Sequence, residues 1–287
     1  MVCLSRRAAL LGGVLLLPRP ALAEAGNAPW RKLKELETSS GARIGVAAID
    51  SGNGLPLFWR ENERFLMCST FKLPLVAAVL ARADAGKEDL ARVVRYGQGD
   101  LLDVSPETTR NVATGMRVDA LCEAAIRFSD NTAANLLLAS IGGPDGLTKW
   151  LRSLDDETTR LDRTEPSLNA ADSDKDTTTP ASLLATMKAI LLGDVLSHSS
   201  QARLQFLLQV NTTGAALLRP GLPAGWTVGD KSGRGAGGAI NDLAIATPPG
   251  GAPLLIAAFT SGGSEALLAD IGRIAAEAFA PKEIASR

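Results

Sequence analysis

The chain has 287 residues, 46% of them hydrophobic, and a formal charge of −1. That is enough for one compact enzyme-sized unit or two closely packed subdomains, and it offers no basic excess for nucleic acid. One Tyr and seven Phe give no base-stacking surface, and one His with three Cys leaves no His/Cys zinc cluster. No cofactor and no metal are expected.

Residues 1–23 read as an export signal. Arg6 and Arg7 form its charged start, and Ala8 to Leu17 is an apolar run too short to span a bilayer. Ala21-Leu22-Ala23 offers a cleavage site of small residues. Ser5 to Leu10 resembles a twin-arginine signal, although Ala9 stands where such signals often carry an aromatic, so both export routes stay open. Cleavage after Ala23 removes three arginines and no acid, which takes the charge from −1 to −4. No other long apolar run reads as membrane-spanning. The expected product is soluble, monomeric, free of stable membrane association, and periplasmic or secreted.

Residues 28–39 place Trp30, Leu33 and Leu36 on one helical stripe, with Gly41 as the stop. Arg43 to Asp50 and Leu55 to Arg60 predict a hairpin around Ser51-Gly52-Asn53-Gly54. From about 61 to 209 the pattern turns helical. Leu73–Ala85 is apolar nearly all round and so predicts a central helix. Val118–Phe128 and Thr132–Ile141 follow, broken at Ser129-Asp130-Asn131. Gly142-Gly143-Pro144 ends the second, and Leu147–Leu154 forms another. Asp155–Thr179 is polar and rich in turns, and Pro180 opens a helix at 181–192. Strands return at Thr227–Gly233, Ala239–Thr247 and Pro253–Ser261, followed by an amphipathic helix over Ser264–Ala280.

This order predicts an α/β protein, an α+β sandwich. Residues 24–60 and 210–287 would build one five-stranded antiparallel sheet covered by the N- and C-terminal helices. Residues 61–209 would form an all-helical lobe, with the site between the two.

Four constellations carry chemistry. Ser69 and Lys72 are three apart at the mouth of the apolar segment, so on a helix they share a face. Apolar surroundings would lower the lysine pKa and let it take a proton from the hydroxyl. Ser129-Asp130-Asn131 could face Ser69 from an interhelical turn, with Asp130 holding that turn or simply capping the next helix. Glu165, beside Asn169, could hold and activate a water, or be an ordinary surface acid. Lys231-Ser232-Gly233 at a strand end suits a substrate carboxylate, with Gly233 leaving room for ligand backbone. His198 reads as a lone surface residue near a helix end.

Ser-x-x-Lys, Ser-Asp-Asn, Glu-Pro-x-Leu-Asn and Lys-Ser-Gly, in that order, resemble a class A serine β-lactamase over essentially the whole mature length. Asn211-Thr212-Thr213-Gly214 and Asp176 to Pro180 support the resemblance. It implies hydrolysis of the β-lactam amide of penicillins and cephalosporins, and with it antibiotic resistance. Ser69 would be the nucleophile, with Lys72 or Glu165 as its base. The backbone N–H groups of Ser69 and Arg234 would hold the oxyanion. Ser129 would pass a proton to the leaving nitrogen, supported by Lys231. Ser232 would bind the substrate carboxylate and Asn131 its side-chain amide. Glu165 and Asn169 would hold the deacylating water.

Several positions depart from the family. The Asn169–Asp176 segment is two residues shorter than usual, although Arg163 and Asp176 match the pair that pins the loop. Val104 stands in place of an aromatic wall. Gly235 and Val76 stand where disulfide partners of Cys68 and Cys122 would sit, which implies two free thiols. Leu217, Ile240 and Glu265 occupy the places from which relatives supply a carboxylate-binding arginine. Arg234 is expected to supply that charge instead, unless it is only a solvated hairpin residue. A cell-wall D-alanyl-D-alanine peptidase and a non-catalytic β-lactam sensor are the competing readings. The Glu165 motif and the lack of an anchor argue against the first. The lack of transmembrane helices argues against the second.

Overall fold

The structure is a computed structural model and describes residues 28–279. The proposed signal segment lies outside the described residues. Helix α1 (Pro29–Ser40) starts on Pro29 and stops at Gly41, whose left-handed backbone returns its N–H to Glu37. Strands β1 (Arg43–Asp50) and β2 (Pro56–Trp59) form the first hairpin. Strand β3 (Phe65–Leu66) leads into a 3-10 turn, Cys68–Phe71, and helix α2 (Lys72–Asp84). Strand β4 (Val93–Val94), the short helix α3 (Pro106–Arg110) and strand β5 (Met116–Arg117) come next. Helices α4 (Val118–Arg127), α5 (Asn131–Ser140) and α6 (Gly143–Arg152) complete the first helical run. Strand β6 (Thr177–Thr178) precedes helices α7 (Pro180–Leu192) and α8 (His198–Gln209). Strands β7 (Thr227–Gly235), β8 (Ala239–Thr247) and β9 (Leu254–Ser261) lead to helix α9 (Glu265–Phe279).

The main sheet has the order β2-β1-β9-β8-β7, and every pairing is antiparallel. Its two edges therefore come from opposite ends of the chain. Strands β8 and β9 are buried on both faces, which explains their near-continuous apolar sequence. Ala244, Ala246, Ile256 and Ala258 face α1 and α9, where Leu33, Leu268 and Ile271 complete one core. Leu243, Ile245, Leu255 and Phe259 face the helices, in a second core around α2. Every residue from Lys72 to Leu80 is buried, as an all-round apolar helix requires.

Some expectations need correction. Trp30 lies on the helical stripe but is 46% exposed, so Leu33 alone is the buried anchor of α1. Gly143-Pro144 does not only end α5; it opens α6, because Pro in the first turn lacks only an N–H that would have no helical partner there. His198 is exposed at a helix end, as expected; what was not expected is the helix it opens, α8, capped by the Ser197 hydroxyl on the Ser200 N–H. Cys68 and Cys122, by contrast, are free thiols as expected; both are buried, which pushes their pKa up to about 12.

Candidate active site

Ser69 sits in the 3-10 turn that feeds α2, so Lys72 lies one turn beyond it on the same side. Lys72 Nζ donates to Ser69 Oγ at 3.0 Å. It also reaches Ser129 O at 2.7 Å, Asn131 Oδ1 at 2.6 Å and Glu165 Oε1 at 3.1 Å. Ser69 Oγ is 3.3 Å from the same Glu165 oxygen. Burial lowers the Lys72 pKa below the ordinary lysine value, against the opposing pull of Glu165. The nucleophile candidate thus has two proton acceptors within hydrogen-bond reach.

Asp130 explains why the Ser129 loop holds its shape. It is fully buried and caps α5 through the Ala133 N–H at 2.8 Å. The same carboxylate accepts from the N–H groups of Glu107 and Thr108, both at 3.0 Å, and from the Thr108 hydroxyl. The capping and loop-holding alternatives are therefore both true. Ser129 takes a left-handed backbone, φ 55°, beside this anchor. Its hydroxyl then stands between two lysines, 3.3 Å from Lys72 Nζ and 3.2 Å from Lys231 Nζ.

Glu165 is buried and held at both backbone atoms by one side chain. Asn135 Oδ1 accepts from the Glu165 N–H at 3.0 Å, and Asn135 Nδ2 donates to the Glu165 carbonyl at 2.9 Å. Asn169 Nδ2 donates to Glu165 Oε2 at 2.6 Å, while the buried Asn169 Oδ1 keeps no protein partner. Arg163 Nε bonds Asp176 Oδ2 at 2.6 Å, and Asp176 also accepts from the N–H groups of Asp162 and Arg163. The loop is tied at its neck as expected.

Strand β7 supplies the facing wall. Lys231 is fully buried, donates to Ser232 O at 2.9 Å, and has its pKa brought down to about 7, chiefly by burial and then by the charge of Lys72. Ser232 Oγ shares a 2.7 Å hydrogen bond with Thr213 Oγ1. Behind them, burial raises the pKa of both Asp230 and Asp242. Asp230 is paired with Arg219, whose Nε lies at 2.7 Å.

Gly233 has a different reason from the one expected. A Cβ there would come within 2.9 Å of the Met67 carbonyl and 3.1 Å of Thr70. The missing side chain lets β7 press against the turn carrying Ser69, rather than making room for a ligand's backbone. Arg234 also differs in detail. It lines the same cavity as Ser232, but Nη2 bonds Glu265 Oε1 at 2.6 Å and Nη1 donates to Thr213 O at 3.2 Å.

These walls enclose a cavity of about 280 Å³ lined by Ser69, Val104, Phe128, Ser129, Asn131, Asn169, Thr213, Ser232, Gly233 and Arg234. Lys72, Glu165 and Lys231 are buried behind it. All ten sequence-proposed residues are therefore gathered at one place. Asn131 reaches it with both amide ends engaged, since its Nδ2 donates to Asp103 O at 3.0 Å. Asn135, Phe128 and Thr213 escaped the assignment. Thr213 lay in the Asn-Thr-Thr-Gly stretch already noted, whereas nothing in the sequence marks a mid-helix Asn135.

The model of the beta-lactamase enzyme family matches residues 28–279. Beta-lactamase AST-1 of Nocardia asteroides is 46% identical over 255 residues, covering 86% of this chain and 82% of its own. Beta-lactamase CTX-M-8 of Citrobacter amalonaticus is 43% identical over 247 residues, 85% of each chain. Among solved structures, the ancestral (GNCA) class A beta-lactamase superposes with TM-score 0.86 at 51% identity, covering 88% of this chain and all of that one. The putative class A beta-lactamase PenP from Rhodopseudomonas palustris gives 0.85 at 46%, covering 87% and 99%. Fold and site define a hydrolase whose cavity places Ser69 beside a buried lysine–glutamate pair. The chain belongs to the beta-lactamase enzyme family, in class A, and hydrolyses β-lactams.

Proposed function

We propose that hydrolysis runs through a Ser69 acyl-enzyme and that Glu165 directs the water that releases it. One observation carries this reading: Ser69 Oγ meets both Lys72 Nζ, at 3.0 Å, and Glu165 Oε1, at 3.3 Å, on the wall of one cavity. In the first half, Ser69 Oγ bonds to the lactam carbonyl carbon and its proton passes to Lys72 or Glu165. The C–N bond then breaks, and the nitrogen takes a proton from Ser129 Oγ, which Lys72 and Lys231 flank. The developing oxyanion lies between the N–H groups of Ser69 and Arg234. Ser129 regains its proton through Lys72, which holds or receives the one Ser69 gave up. In the second half, water loses a proton to Glu165 and bonds to the ester carbon; the C–O bond to Ser69 breaks, and Ser69 Oγ takes that proton back from Glu165. The unpartnered acceptor of Asn169 is available to that water.

Ser232, Thr213 and Arg234 are assigned to the ring carboxylate, and Asn131 to the side-chain amide. Penicillins and cephalosporins are the substrates this assignment fits. The leader proposed for residues 1–23 would export a monomeric enzyme to the periplasm or the medium, where it would confer resistance. Among the described residues no helix is long and apolar enough to cross a membrane.

Ser69→Ala tests the covalent step. Loss of lactam absorbance with benzylpenicillin should slow by about a thousandfold or more, by analogy with other nucleophile deletions. No drug mass should attach to the protein. Persistent turnover or an adduct elsewhere would overturn the assignment.

A further inference from the structure

The rim of the cavity carries a charge that the hydrolytic reading does not use. Glu265 is the first residue of α9, and its Oε1 lies 2.6 Å from Arg234 Nη2. The Glu265 and Arg234 side chains remain 50% and 44% exposed, so both meet solvent, and through Arg234 the pair adjoins the cavity wall. Their meeting is built into the backbone. The Gly262 and Gly263 N–H groups bond the carbonyls of Gly237 and Gly238, at 2.9 and 3.0 Å. These bonds lash the segment before α9 to the turn that follows Arg234 on β7. Ser264 then caps the helix through the Leu267 N–H at 3.2 Å. A carboxylate in the first turn also suits the positive end of the helix.

We propose that Glu265 is a specificity-determining residue, which makes this subsite select β-lactams by the charge borne next to their ring carboxylate. The inference rests on the reading of the cavity as the β-lactam site. An isolated arginine would attract every carboxylate alike. A guanidinium already held by a carboxylate offers less, because an incoming anion must displace Glu265 or approach it. The Arg234–Glu265 pair instead presents a positive and a negative group side by side. A substrate whose carboxylate has a cationic substituent beside it complements both, whereas one with a second anion there is opposed. Half-exposed charges act weakly and are screened by salt, so the effect is a preference and not an exclusion.

The test uses two cephalosporins with the same acylamino side chain. One carries a quaternary ammonium on the substituent next to the carboxylate, and the other carries an anionic group there. Glu265→Gln should lower KM for the anionic compound by about two- to fivefold and raise it for the cationic one by a similar factor. The ratio of their kcat/KM values should move by roughly tenfold, and high salt should shrink that movement. A merely structural role would shift both substrates together and overturns the proposal, as does an unchanged ratio. Arg234→Ala, run alongside, should raise KM for the anionic compound by about tenfold and for the cationic one by less, since the unpaired Glu265 still attracts it. If it does not, the carboxylate assignment of Arg234 fails while the Glu265 ratio still stands or falls by itself. If the wild type opens neither lactam, the underlying site reading is wrong and the inference goes with it.

Discussion

Lys72 and Lys231 are both fully buried, yet they share the Ser129 hydroxyl. Two ammonium groups in so small a volume repel each other, and burial already disfavours each. Glu165 and Asp130 pull Lys72 back toward its charged form, but burial outweighs them. For Lys231 the outcome is a value brought from 10.5 to about 7. The sign of the consequence follows. On the proposed reading, Lys231 below that value carries a positive charge that favours a carboxylate bound at the neighbouring Ser232; above it, the charge is lost. The kcat/KM profile should therefore fall as pH rises through about 7 to 8, while kcat should hold to higher pH, because a bound carboxylate raises the lysine's pKa. A flat kcat/KM up to the ordinary lysine range would contradict this. At this scale the sequence was highly legible. Lysine three residues after serine in an apolar segment already implied a depressed pKa. The Arg234–Glu265 pair was only half legible: the resemblance set both residues beside one carboxylate subsite, but 31 residues separate them and nothing in the sequence marks them as partners.

The element that sets the site's precision is the Glu165 loop. Asp176 is fully buried at its neck and accepts three hydrogen bonds, two from backbone N–H groups and one from Arg163. Arg163 also donates to the Ala170 carbonyl at 2.6 Å, so it staples both ends of the shortened segment. Arg163→Ala should destabilise the protein by about 1–3 kcal/mol, since the buried carboxylate keeps its two N–H donors but loses its cation. Thermal unfolding would read that loss. The kinetic effect should be larger on deacylation than on acylation, because Glu165 hangs from this loop while Ser69 and Lys72 sit on the buried turn and helix α2. Equal slowing of both steps would place the loop's influence elsewhere. Elements with a long period were readable here: β1 and β8 fall on their expected spans, and α2 within one residue at each end. The two-residue strands β3 to β6 were not, since so short a segment has no periodicity. Helix α8 was hidden for a related reason. Its buried Leu204, Leu207 and Leu208 adjoin an exposed Phe206, which blurs the apolar face.

On the scale of the whole molecule, β1 and β9 pair along their full lengths, so the chain's two ends close one sheet. That closure delivers β7 to the 3-10 turn of Ser69, where Gly233 permits contact, and holds Asn241 Nδ2 against the carbonyls of Leu66 and Met67, at 2.8 and 3.2 Å. The turn carrying Ser69 is thus held between helix α2, which follows it directly, and strands β7 and β8, which come more than 150 residues later. Strand–helix–strand order announced this arrangement in the sequence; the contacts of Gly233 and Asn241 did not, because nothing local encodes them. The account predicts that such a clamped site turns over and does not merely trap its substrate. The most direct test is a time-resolved intact mass of the purified chain mixed with benzylpenicillin, beside Glu165→Gln. Wild type should return to its free mass as hydrolysed drug accumulates, while the variant should hold one drug mass on Ser69. A wild type that stays acylated, or a Glu165→Gln enzyme that clears its adduct as fast as wild type, would contradict the assignment of Glu165.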